Sequence, residues 1–71
     1  MNSEQLKGLI YKTPFQPVRL TLHAGPPVVI RHPENIAVSS SWVAIAQDPD
    51  PPHFFEADMV VSVEYLPEVI F

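Results

Sequence analysis

The chain has no cysteine and only two glycines. No disulfide can staple the fold, no thiolate can hold zinc, and no glycine-rich loop can cradle a phosphate. Positive charge is also scarce, with four lysines and arginines against eight acids and a net charge of -4. Nucleic-acid binding needs a clustered basic face that displaces counterions from phosphate, and four bases make only a small one. No apolar run approaches the roughly 20 residues of a membrane-spanning helix, so no membrane partner is expected. Met1–Gln5 lacks the basic region and apolar core of a secretion signal, so the cytoplasm is the expected location. Charged residues make up only 17% of the chain and apolar residues 46%, the composition of a folded domain rather than a disordered one.

Proline is what the chain has in quantity, nine in 71 residues, and it punctuates short β-branched runs. The stretch from Pro14 to Val38 organises the rest. Val18–His23 and Val28–His32 flank the compact connection Ala24-Gly25-Pro26-Pro27, a hairpin signal. In the first run Val18, Leu20 and Leu22 alternate with Arg19, Thr21 and His23, the pattern of a strand buried on one face. In the second, Val28, Ile30 and His32 are expected to point inward. Proline within a strand marks an edge or a bend, so the second strand is expected to bend at Pro33 and continue through Ile36-Ala37-Val38.

Ahead of this stretch, Ser3–Lys12 reads as a short amphipathic helix. Ser3 is the candidate cap, Glu4 suits the first turn, and Leu6, Leu9 and Ile10 form one stripe. Thr13-Pro14 ends it. Phe15 is expected to plug the core. Beyond the bend, Ser39-Ser40-Ser41 is a turn, Trp42–Ala46 a third strand and Gln47–His53 an exposed proline-rich loop. Phe54-Phe55-Glu56 is a short strand or edge, and Met59–Leu66 is the last strand. The expected fold is mainly β. It is one domain over residues 1–71, with a helix at about 3–12 and a small five-stranded, strongly bent antiparallel sheet or barrel within 18–66.

A chain this short buries a small fraction of its surface, and without disulfides or metal the remaining route to more burial is self-association. Trp42, beside small residues, and the terminal apolar run Val69, Ile70 and Phe71 are the candidate interface residues. Charge is asymmetric along the chain: Lys7, Lys12, Arg19 and Arg31 all precede Pro33, and every acid except Glu4 follows it. Interlaced strands would mix the two halves into neutral surface. Alternatively, subunits would meet basic half to acidic half.

His32-Pro33-Glu34 is the nearest approach to a chemical site. An imidazole beside a carboxylate can act as an acid/base pair or as two metal ligands. Neighbouring strand residues point to opposite faces, however, and the structural reading is favoured: proline makes the bend, Glu34 accepts backbone hydrogen bonds and His32 is satisfied in the core. His23, His32 and His53 lack tight metal-ligand spacing, and Ser39–Ser41 has no nucleophile-elbow glycines. Neither a cofactor nor an enzyme activity is expected.

Helix, then five short strands with the second strongly bent, resembles the layout of Sm-like barrels, which are SH3-like in shape. Val18–Gly25 resembles the strand and glycine turn that open the Sm motif. Two features depart from that pattern: Val28–His32 has no glycine, and Phe55–Val60 carries acids where the bacterial Hfq branch has a Lys-His pair at its RNA pocket. The resemblance implies a ring-forming protein. RNA binding through Lys7, Lys12, Arg19 and Arg31 is the alternative, and it is not favoured. Pro14–Leu20, Gly25 and His32-Pro33-Glu34 also resemble a family of small uncharacterised bacterial proteins with the pattern Pro-Phe-x-Pro-Phe-Arg-Ile, an Asp-Gly turn and His-Pro-Glu. Here Val18 stands for the second Phe and Ala24 for the Asp. That resemblance implies shared architecture and no chemistry.

Overall fold

A computed structural model describes residues 1–67. The helix α1 (Ser3–Ile10) is followed by six strands: β1 (Val18–Leu22), β2 (Val28–Ile30), β3 (Ile36–Val38), β4 (Trp42–Ile45), β5 (His53–Glu56) and β6 (Val60–Tyr65). They form two antiparallel three-stranded sheets, ordered β2-β1-β6 and β3-β4-β5. The mainly β class with a short N-terminal helix is as expected. The count of five strands and the closed barrel are corrected. Pro33–Asn35 forms a 3-10 turn, which splits the bent second run into β2 in one sheet and β3 in the other.

The chain crosses between sheets a second time through another 3-10 turn, Ala57–Met59, which joins β5 to β6. Each crossover therefore lies along one flank of the molecule. Between the sheets sits a single core of Val18, Leu20 and Ile30 from one side and Ile36, Val43 and Ile45 from the other. Leu6 and Ile10 close it from α1, with Ala57 from the second crossover and Val60 from the start of β6. Phe15 packs against this core from its margin.

The helix is shorter than expected and capped one residue earlier. The Asn2 side chain accepts from the Gln5 N–H at 2.8 Å, and the Gln5 side chain accepts from the Asn2 N–H at 3.1 Å. This reciprocal pair satisfies two helix-end donors. Ser3 is the first helical residue, and its hydroxyl donates to the Ser40 carbonyl at 2.7 Å. Leu6 and Ile10, one turn apart, are fully buried, while Leu9 is half-buried.

Strand β1 is the centre of the first sheet and shows the alternation read from its residues: Val18 and Leu20 are fully buried, and Thr21 is exposed. Gly25 holds φ at +83° in the turn that follows, a region that L side chains rarely adopt. Two other expectations are corrected. His32 is exposed rather than inward, because the 3-10 turn begins at the next residue and ends the strand alternation at Ile30. In β6 the register with β1 shifts between Thr21 and Leu22. The shift makes Val60 the buried residue and leaves Val61 49% exposed.

Candidate functional site at the open strand edges

In an antiparallel ladder successive residues alternately point their N–H and C=O groups at the partner strand and away from it. The four outer edges of the two sheets can therefore be read residue by residue. On β3, the Ser39 N–H donates to Trp42 at 2.8 Å and the Ala46 N–H to Asn35 at 2.9 Å. Ile36 and Val38 thus turn their main-chain groups outward. The Tyr11 hydroxyl meets both: it donates to the Ile36 carbonyl at 3.3 Å and accepts from the Val38 N–H at 3.0 Å.

On β2, Val29 and Arg31 turn outward, and the Gln47 side-chain amide meets them in the same way. It donates to the Val29 carbonyl at 2.9 Å and accepts from the Arg31 N–H at 3.5 Å. A phenol on β3 and a primary amide on β2 each take the place of a missing strand. The flank containing the Pro33 crossover is closed.

The opposite flank is open. On β5, the Ala57 N–H donates to Ser41 at 2.8 Å, so His53 and Phe55 face β4 while Phe54 and Glu56 turn outward. On β6, the Leu66 N–H donates to Pro17 at 2.9 Å, so Ser62 and Glu64 face β1 while Val63 and Tyr65 turn outward. At the start of β6 the Met1 N-terminal ammonium donates to the Val60 carbonyl at 2.9 Å, and among the described residues no group meets the outward main-chain positions of Phe54, Glu56, Val63 and Tyr65. Unpaired edges of this kind are templates for pairing with another chain.

Exposed apolar side chains border the open flank. Phe54 is 71% exposed on β5, and Trp42 is 54% exposed on the neighbouring strand. Because Val43, Ile45 and Phe55 point into the core, Trp42 and Phe54 share the outer face of their sheet, over the cross-strand row Ala37, Ala44 and Phe54. Val61 of β6 lines a shallow groove with Met1 and with Glu4, Gln5, Gly8 and Leu9 of the helix.

Trp42 is therefore at the surface beside an open edge. Val69, Ile70 and Phe71 lie outside the described residues. The four bases are not gathered on one face. Lys12 sits 4.3 Å over the Tyr65 ring, on the helix side of the first sheet. Arg19 pairs with Glu64 on the outer side, with Nε at 3.0 Å from Oε1. This pair joins the basic and acidic halves of the chain, as interlaced strands require. Lys7 is on α1, and Arg31 follows β2.

His32 and Glu34 flank Pro33 at an exposed bend, and neither side chain makes a hydrogen bond among the described residues. The bend is held instead by the Asn35 N–H donating to the His32 carbonyl at 3.1 Å and by the Asn35 side chain donating to the Ala46 carbonyl at 2.9 Å. The expected backbone contacts of Glu34 and the buried His32 are thus corrected. Among the described residues no three metal-ligating side chains converge.

Sequence reasoning did not single out Tyr11, Gln47 or Phe54. For Phe54 a signal existed: two adjacent phenylalanines in one strand must face opposite sides, so one faces out. For Tyr11 and Gln47 no local signal exists, because their partners are 25 and 18 residues away. No family model, curated protein or solved structure matches this chain.

Proposed function

We propose that this is a non-catalytic, self-associating β protein whose copies join through the open edges of β5 and β6. The carrying observation is the contrast between the flanks: two edges are met by side chains of the same chain, whereas the β5 edge is unmet among the described residues and the β6 edge is met only at Val60, by the Met1 ammonium. The open edges differ in length and belong to different sheets, so β5 of one copy pairing with β6 of the next satisfies both on every copy. Pairing β6 with β6 about a two-fold axis would leave β5 open. Head-to-tail pairing of this kind closes into a ring when the rotation permits. A ring would also bury Phe54 and the apolar surface beside β6, adding the burial that a short chain lacks. Kinship with Sm-like barrels is part of this reading, supported by the strand run that bends at Pro33 and by the two crossovers.

Glu56→Pro tests the reading. Glu56 has φ -73°, which proline adopts without strain, and its N–H points away from β4. The substitution removes a donor from the open edge and leaves the β4 ladder intact. The expected outcome is a folded protein of lower molar mass by light scattering. An unchanged assembly would exclude β5 as a joining edge.

A further inference from the structure

We propose that the cleft between the 24–27 turn and the 47–53 loop binds a free α-amino acid with an apolar side chain. The cleft encloses about 340 Å³, within the roughly 300–1,000 Å³ usual for small-molecule sites. Both walls are built from proline, Pro26 and Pro27 on one side and Pro51 on the other. Proline fixes φ, so the walls need little ordering when a ligand arrives, which lowers the cost of binding. Gln47 pins the loop across β2 through its bonds to Val29 and Arg31, so the edge closure described above also holds the cleft in shape.

The floor is apolar, formed by Leu22, Val28 and Ile45, and the rim carries Arg31 and Asp50. Neither is in an ion pair among the described residues, and both side chains are exposed. A ligand with a carboxylate and an ammonium on one carbon answers both. The Arg31 guanidinium presents a planar fork that matches a carboxylate with two hydrogen bonds, and the Asp50 carboxylate accepts from the ammonium. The third substituent, an aliphatic or aromatic side chain, lies on the floor. The cleft lies away from the outward positions of the β5 and β6 edges, so its ligand does not rest on the assembly reading.

Isothermal titration of the full chain with phenylalanine and with leucine tests it, alongside N-acetyl-phenylalanine, which lacks the ammonium, and phenylalanine amide, which lacks the carboxylate. The expected result is saturable binding of at least one free amino acid at one site per chain. Removing either charge from the ligand should weaken binding about tenfold or more, as should Arg31→Gln or Asp50→Asn. Both variants change exposed side chains, and an unchanged thermal midpoint shows that each is folded. Absence of saturable binding by either amino acid overturns the proposal. So does binding that survives both variants unweakened, or that the blocked derivatives match.

Discussion

The two flanks of this molecule are built alike and finished differently. On each, a strand leaves one sheet, passes through a 3-10 turn and enters the other. At Pro33–Asn35 the two edges so created are met by Gln47 and Tyr11. At Ala57–Met59 the edge of β5 and the Val63 and Tyr65 positions of β6 are left unmet among the described residues, the Met1 ammonium meeting only the Val60 carbonyl, and Phe54 is exposed beside them. Unpaired main-chain groups attract other chains, so the difference separates what the fold finishes by itself from what it leaves for a second copy. One flank is intramolecular by chemistry, and the other invites a partner.

Substitutions sharpen this contrast in a graded way. The largest stability effect belongs to neither flank. Leu20→Ala, in the fully buried centre of β1, should cost about 2–5 kcal/mol by chemical denaturation. That is a large share of the roughly 4–10 kcal/mol expected of a chain this size. Both flanks should be lost together, because one core serves both sheets.

Opening the closed flank should cost less. Tyr11→Phe removes the hydroxyl from Ile36 and Val38 and should destabilise by about 1–2 kcal/mol, with protection of the Val38 amide lost in hydrogen exchange. Gln47→Ala should cost about 1 kcal/mol, with faster exchange at Arg31. If either variant instead raised the molar mass without loss of stability, the closed flank would be acting as a suppressed interface, and the contrast would need redrawing. The smallest effect is expected from Arg19→Ala. Its pair with Glu64 is solvent-exposed, and such pairs contribute about 0–1 kcal/mol, so unfolding should shift little and less still at high salt.

Parts of this architecture were legible in the residues and parts were not. The alternation from Val18 to Leu22 placed β1 and its inward face, because one buried side leaves a period-two signature. Pro33 announced the bend. It could not announce that the bend would be a 3-10 turn, which ended the alternation early and put His32 outside. The shift opposite Thr21 and Leu22 reversed the inward and outward positions at the start of β6, since a one-residue slip exchanges faces. Asn2 rather than Ser3 caps the helix, because the reciprocal contact needs Gln5 three residues on, and both residues offer capping oxygens.

The candidate site was harder to see than the fold. Trp42 was visible as a large residue among small ones, but the meaning of its position depends on which edge β5 leaves open, a fact of topology. Tyr11 and Gln47 perform main-chain work with side chains, and nothing in their neighbours signals it. The charge asymmetry was visible at once, yet β1 lies between β2 and β6, so Arg19 meets Glu64 within one copy and neutralises part of it.

The decisive measurement is the molar mass of the intact chain and of Glu56→Pro by size-exclusion chromatography with light scattering at micromolar concentration. An intact chain at an integral multiple of 8.0 kDa, reduced by the substitution with the far-ultraviolet spectrum preserved, is the predicted result. A well-folded species of 8.0 kDa for the unsubstituted chain would contradict it.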